Sequence, residues 1–214
     1  MTYKTRFQYL LDKATDIAQA QSVLNPGNPR LPVLFFVTDP KRISHPEDVA
    51  AHLPAGCGVI YRHFGESHAL QRAQLLRRIA DDHGLILLIG DDDGLAETVD
   101  AHGVHLPERN ISRAIELRRQ HSKWLLTGAC HSLDGLKASG VESLDAVVIS
   151  PIFVSQSPSA AHIESLGLKG AQAFAAVSPV PVYGLGGINC DTIERLRSSG
   201  LAGVAAVDAF TLAD

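Results

Sequence analysis

The sequence predicts a TIM barrel, that is, a closed ring of eight parallel β-strands with helices outside it. Eight short runs of β-branched and aliphatic residues recur along the chain, each followed by a helical-looking stretch. Strict alternation of this kind gives a parallel sheet with right-handed crossovers. Eight units in roughly 180 residues suit a closed barrel better than an open doubly wound sheet. A Rossmann fold would need Gly-x-Gly-x-x-Gly after the first strand, and the sequence has none there.

Residues 1–30 are predicted to form a helix followed by a linker. Apolar residues recur at helical spacing from Phe7 to Ala18. The turn-forming segment at residues 25–29, Asn-Pro-Gly-Asn-Pro, then ends the helix. We expect this helix to lie against the barrel and to close its bottom.

The barrel is predicted over residues 32–210. Strands are expected at residues 33–39, 58–62, 85–91, 103–106, 123–130, 144–150, 180–186 and 201–207. Helices are expected at residues 46–53, 67–82, 94–101, 111–120, 132–140 and 191–199. The one long irregular connection, residues 151–167, follows strand six, and such connections are usually lids or disordered segments. No linker interrupts the units, so residues 1–214 are predicted to be one domain.

Composition narrows the class of protein. A net charge of -4 and an isoelectric point near 6.2 argue against nucleic-acid binding. The N-terminus lacks the apolar core of a signal peptide, and no apolar run approaches the ~20 residues of a membrane span. The three cysteines are too few for a disulfide framework or a Cys-rich zinc site. We predict a cytoplasmic protein with neither nucleic-acid nor membrane partners.

Residue types suited to chemistry gather just after the apolar runs. In a barrel, the carboxyl ends of all eight strands meet at one mouth. The residues at these ends are Asp39, Arg62, Asp91, His105, His131, Ser150, Gly186, Gly187 and Asp208. The sequence therefore predicts one site at the mouth.

Four of these residues suggest specific chemistry. Gly186 and Gly187 would let the backbone approach a phosphate, and the next helix would offer it free N–H groups; a tight turn is the equal alternative. Asp91 could hold Mg²⁺ against a diphosphate, whereas Asp92 and Asp93 suit an acidic helix start. His131 is placed for proton transfer, or for a local hydrogen bond at a helix start.

A metal site is a further alternative. His63, Asp91, His105 and His131 all follow strands, and their side chains could together bind a transition metal. No sequence spacing fixes that geometry.

Six motifs, in this order, resemble thiamine-phosphate synthases and the related TenI-type thiazole tautomerases. They are Val-Thr-Asp at 37–39, Gly-Val-His-Leu at 103–106, Ser-Pro-Ile-Phe at 150–153, Leu-Gly-Leu at 166–168, Gly-Leu-Gly-Gly-Ile at 184–188 and Gly-Val-Ala-Ala-Val at 203–207. The resemblance implies a TIM barrel that couples hydroxymethylpyrimidine diphosphate to thiazole phosphate, using Mg²⁺ and releasing pyrophosphate. It implies small phosphorylated substrates as partners, and members of the family are often homo-oligomers.

The chain departs from the family pattern at the charged positions. Arg62 is retained, but the lysine that follows it in the family is Phe64 here. Asp91 matches one metal carboxylate, whereas Asn110 replaces the second. The lid after strand six lacks its lysine, and Asp208 stands where a serine often lies beside the thiazole phosphate. A carboxylate there would repel that phosphate.

The resemblance, position by position, assigns the expected roles. His131 and Arg62 are the catalytic candidates, and Asp91 is the metal candidate. The candidates at the substrate and phosphate positions are Arg62, Ser150, Ser155, Ser157, Gly186, Gly187 and Asp208. The missing charges predict a synthase-like enzyme with weakened or altered activity. A TenI-like tautomerase using His131, or a non-catalytic barrel that binds a small molecule, remains the alternative.

Overall fold

The structure is a computed structural model that describes residues 2–22, 30–154 and 164–212. Eight parallel strands pair in chain order, and β1 pairs with β8 to close the ring, which confirms the predicted TIM barrel. The strands are β1 Leu34–Val37, β2 Gly58–Tyr61, β3 Ile86–Gly90, β4 Gly103–Leu106, β5 Leu125–Cys130, β6 Ala146–Ile149, β7 Val182–Leu185 and β8 Gly203–Ala206. The α-helices are α1 Tyr3–Ser22, α2 Pro46–Ala50, α3 Ala69–His83, α4 Asp93–Thr98, α5 Ala114–Gln120 and α6 Gly167–Val177.

The strands are buried on both faces, which explains why they read as continuous apolar runs. Every residue of β1, β2, β6 and β8 is buried. Inside the barrel, the rings of Phe35 and Tyr183 meet edge-on with centroids 5.6 Å apart. The paired positions on the neighbouring strands are Gly58 and Gly203, whose missing side chains leave room for these rings. Large and small residues together fill the floor below the mouth.

Two predicted helices are wrong. After β5, residues 132–140 were expected to be helical, but the chain forms the 3₁₀ turns Gly135–Lys137 and Val141–Ser143. After β7, residues 191–199 contain only the 3₁₀ turn Ile193–Leu196. Both segments are short, and forming the first turn of an α-helix is costly. The helix α6 was not predicted, and two glycines, Gly167 and Gly170, lower its helix propensity.

The N-terminal helix lies on the side of the barrel, so the expectation that it closes the bottom is wrong. Helix α1 packs against β1, β8 and the turn Ile193–Leu196. Its Phe7 ring lies 5.1 Å from the ring of Phe210, which in turn lies 5.3 Å from the ring of Phe36. Helix α1 thus covers the outer wall where the short turn after β7 leaves space. None of the described helices is long and apolar enough to cross a bilayer.

Candidate active site

A cavity of about 1060 Å³ opens at the carboxyl ends of the strands. The predicted residues that line it are Arg62, Asp91, His105, His131, Ser150, Gly186, Gly187 and Asp208. The structure thus brings together side chains that are far apart in sequence, although their roles remain predictions. The predicted Ser155 and Ser157 lie outside the described residues. Asp39 does not line the cavity, but it contacts two arginines that do, Arg42 and Arg62.

Arg62 follows β2 and is held from below. Its Nε donates to the backbone oxygen of Thr38 at 2.8 Å, and its backbone N–H donates to the Thr38 hydroxyl at 2.8 Å. Its Nη2 is buried without a hydrogen-bond partner and lies 3.7 Å from Asp39 Oδ2. Burial lowers the pKa of this guanidinium, and the charge of Asp39 opposes that effect. A cation that is desolvated and incompletely hydrogen-bonded gains from an anion placed beside it.

His105 is a neutral group at the cavity floor. Its Nδ1 lies 2.9 Å from the hydroxyl of Thr127, and it projects from β4 into the cavity. Burial lowers the pKa of His105 to about 3, and the positive charges of Arg62 and His131 add to the effect. At neutral pH this imidazole therefore offers a hydrogen bond without adding charge.

His131 is exposed at the mouth, and its ring is oriented by Ser150. Its Nδ1 lies 3.4 Å from both the backbone oxygen and the hydroxyl of Ser150. Its backbone N–H donates to Glu108 Oε1 at 3.2 Å. Among the described residues, its Nε2 has no hydrogen-bond partner. A ring held through one nitrogen leaves the other for a proton-transfer role.

Gly186 and Gly187 are required by the close passage of the segment after β6. They have φ angles of 100° and 65°, and a Cβ on Gly187 would lie 2.6 Å from the backbone oxygen of Val154. The N–H of Phe153 donates to the Gly186 oxygen at 2.9 Å. The predicted α-helix that would have offered N–H groups to a phosphate does not form. Only the four-residue 3₁₀ turn Ile193–Leu196 follows these glycines. Gly186 and Gly187 therefore fit the alternative prediction of a tight turn.

Asp208 has a cationic partner that the sequence did not reveal. Nη1 of Arg42 lies 3.0 Å from both Asp208 carboxylate oxygens, and Nε of Arg42 lies 3.1 Å from Asp39 Oδ2. The expected repulsion of a phosphate by Asp208 is therefore offset. Arg42 lies three residues after Asp39 in the sequence. Its position in the first turn after β1 was the signal that could have placed it at the mouth.

Arg195 is a second arginine that sequence reasoning missed. Its guanidinium lies 4.3 Å from the ring centroid of Phe153, and it lines the cavity beside Gly187. Within the described residues it has no carboxylate partner. It lies in the segment 191–199 that was predicted to be an α-helix, and the 3₁₀ turn Ile193–Leu196 places it at the cavity.

Asp91 is enclosed by protein donors. It has a left-handed φ of 57° directly after β3. Its Oδ1 lies 2.8 Å from Asn110 Nδ2 and 3.3 Å from Arg113 Nη1, and its Oδ2 lies 2.8 Å from Arg109 Nη2. The side chain of Arg113 reaches both Asp91 and Asp93.

The aspartates beside Asp91 serve the next helix, as predicted. Asp92 is the N-cap of α4, and its Oδ1 accepts from Leu95 N–H at 2.8 Å. Its Oδ2 lies 3.2 Å from His63 Nε2. Asp93 lies in the first turn of α4.

The residues that follow β3 and β4 at the cavity do not fit the Mg²⁺ that the resemblance implies. A hard cation needs free carboxylate oxygens, and both oxygens of Asp91 and of Asp92 already accept protein hydrogen bonds or ion pairs. Asn110 donates its amide N–H to Asp91 and therefore adds no oxygen ligand there.

The alternative metal site of three histidines and Asp91 is wrong. Across residues 2–22, 30–154 and 164–212, no group of three or more His, Cys, Asp or Glu side chains could hold a metal ion.

Comparison with known proteins decides the family. The family model described as "Thiamine monophosphate synthase" matches residues 34–210. The chain belongs to this family. A thiamine-phosphate synthase from Halorhodospira halophila is 29% identical over 198 residues, covering 89% of this chain and 92% of that protein. One from Chloroflexus aurantiacus is 29% identical over 188 residues, covering 85% and 86%.

A solved structure has the same fold as this chain. Thiamine phosphate pyrophosphorylase from Pyrococcus furiosus superposes with a TM-score of 0.70 and covers 86% of this chain and 94% of that chain. The sequences are 18% identical, so this likeness supports the fold alone. The family model over residues 34–210 confirms the family resemblance expected from the motifs.

The depressed pKa of His105 predicts a specific loss of stability in acid. As pH falls from about 6.5 towards 3, the unfolded chain binds a proton at this residue that the folded chain does not. The stabilisation is fully present above pH about 6.5 and is lost below it, by about 1.4 kcal/mol per pH unit at most. Urea denaturation of the His105→Gln variant should therefore show a flatter decline between pH 6.5 and 5 than the unsubstituted protein. His68→Gln, at an exposed position, is the control, and equal slopes for all three proteins would contradict the argument.

Proposed function

We propose that this chain is a thiamine-phosphate synthase-type enzyme, which joins hydroxymethylpyrimidine diphosphate to thiazole phosphate at the barrel mouth and releases pyrophosphate. The observation that carries the proposal is a cavity at the strand ends lined by Arg62, whose buried Nη2 has no hydrogen-bond partner, and by Arg195, which has no carboxylate partner among the described residues. The reaction itself comes from relatives that bear the synthase name. Two substrates that each carry phosphate need two separate cationic positions.

The arrangement of the arginines suggests how the substrates lie. Arg62 follows β2, and the resemblance implies that it binds the diphosphate. Arg195 lies beyond Gly187 after β7, at the end of the cavity where barrels frequently bind phosphate. A cavity of about 1060 Å³ is large enough for two small substrates together.

The chemical contribution of the protein is chiefly electrostatic. When the coupling bond forms, negative charge develops on the departing diphosphate, and fixed positive charges stabilise it. Arg62 supplies such a charge in place, since Thr38 already fixes its orientation. The neutral His105 on the floor faces an uncharged ring without repelling it. His131 is available at the rim to orient the substrate or exchange a proton.

Activity is expected to be lower than the family pattern implies. The lysine after Arg62 is replaced by Phe64, whose ring is exposed and lies 5.3 Å below the Arg62 guanidinium. Each charge-assisted phosphate contact contributes roughly 1.5–3 kcal/mol. Loss of such contacts weakens binding of the diphosphate substrate first.

Replacement of Arg62 tests the proposal. Arg62→Ala should lower kcat/KM for the pyrimidine diphosphate roughly 10- to 150-fold, because one charge-assisted contact is lost. Thiamine phosphate formed from the two phosphorylated precursors is measured by chromatography. Arg78→Gln, on the exposed side of α3, serves as the control and should behave as the unsubstituted protein.

Two results would count against the synthase. Folded protein that forms no thiamine phosphate under any condition would reject the coupling reaction. Stabilisation against heat only by unphosphorylated compounds would instead favour the non-catalytic barrel.

A tautomerase is the second candidate, and the orientation of His131 favours it. Nδ1 of His131 lies against Ser150, which leaves Nε2 to move a proton on a thiazole carboxylate phosphate. If this is the reaction, His131→Asn should lower kcat by 10²- to 10⁴-fold with little change in KM. Isomerisation followed by NMR measures both, with Ser132→Ala as the control. Unchanged kcat in His131→Asn, or no isomerisation by unsubstituted protein, would reject this candidate.

A further inference from the structure

We infer that the β3–β4 end of the cavity binds its anion directly through Arg109, in place of a Mg²⁺ ion. This inference rests on the proposed function, since it concerns the diphosphate end of the same cavity. Its basis is the disagreement between the magnesium that the family implies and the donors that surround Asp91. The ligand class is a diphosphate or another phosphate ester, bound without a divalent cation.

Both oxygens of Asp91 already face nitrogen donors of the protein, two of them cationic. Arg109 Nη2 lies 2.8 Å from Oδ2, while Asn110 Nδ2 and Arg113 Nη1 lie 2.8 and 3.3 Å from Oδ1. A metal ion at this carboxylate would have to displace these donors and would then lie beside two guanidinium charges. The site is built to neutralise Asp91 from within the protein.

The neighbouring carboxylates offer no replacement. Asp92 caps α4 and contacts His63, and Asp93 is paired with Arg113. Glu108 accepts the backbone N–H of His131. Magnesium prefers near-octahedral oxygen coordination with one or two available carboxylates, whereas each of these carboxylates already has a protein partner.

Arg109 is placed to take an anion. It lines the cavity, its side chain is 74% exposed, and only Nη2 contacts Asp91. A guanidinium has five N–H donors in a fixed planar fork that matches the geometry of a phosphate. The remaining donors of Arg109 can therefore bind an anion while Asp91 holds the side chain in place. Arg113 completes the charge balance around Asp91, since two guanidiniums face this carboxylate.

Inorganic pyrophosphate is the probe that tests this inference. Isothermal titration of the full chain should show pyrophosphate binding in excess EDTA, with no gain in affinity when EDTA is replaced by millimolar Mg²⁺. Titration of Mg²⁺ alone should give no binding. Arg109→Gln should weaken pyrophosphate binding in EDTA at least about tenfold. Arg119→Gln is the matched control, because Arg119 lies outside the cavity and pairs with Glu116.

Asp91→Asn is a second variant that separates the two kinds of site. If Arg109 binds the anion, removing the carboxylate charge leaves pyrophosphate binding equal or tighter. If the carboxylate holds Mg²⁺, the same change weakens binding. Circular dichroism melts of both variants establish that they are folded, and the comparison of EDTA with Mg²⁺ on the unsubstituted chain needs no variant at all.

The failures of this inference and of the proposed function give different results. Pyrophosphate binding that requires Mg²⁺, or that is unchanged in Arg109→Gln, overturns the direct role of Arg109 and leaves the synthase proposal standing. If neither pyrophosphate nor thiazole phosphate binds with or without Mg²⁺, the proposed function fails, and the inference fails with it.

Discussion

Closure of the barrel by the β1–β8 pairing is the constraint on which the site depends. Leu34, Phe35 and Phe36 pair with Val204, Ala205 and Ala206, so the first and last strands become neighbours. Because all strands are parallel, their carboxyl ends meet at one mouth. The ion pair between Arg42 after β1 and Asp208 after β8 then crosses the same seam.

The charges at this mouth are arranged in pairs rather than left as isolated ions. Each aspartate among the described lining residues contacts a basic side chain, so the carboxylates contribute little net negative field. Arg62 and Arg195 both line the cavity and contact aromatic rings; Arg62 has only the distant carboxylate of Asp39 at 3.7 Å, and Arg195 has no carboxylate partner among the described residues. An anion is therefore favoured at the mouth even though the whole chain has a net charge of -4. The same pairing makes the site unlike one that collects a divalent cation.

The sequence predicted the strands and the location of the site, but not how its charges pair. Buried parallel strands leave continuous apolar runs, and the residues after them must face the mouth, which needs no knowledge of side-chain contacts. The pair of Arg42 and Asp208 joins positions 166 residues apart, which a single sequence does not reveal. The state of His105 depends on burial beneath the mouth, and that also emerges only in three dimensions. The helix predicted between Ser132 and Gly140 failed because a short segment with two glycines gains too little from α-helical hydrogen bonds.

The most direct test is a crystal structure of this protein with thiazole phosphate and pyrophosphate both added. The account predicts both anions within the one mouth cavity, pyrophosphate on the Arg62 side and thiazole phosphate on the Arg195 side beside Gly187. Anions bound outside this cavity, or strand-end residues that do not share one pocket, would contradict it.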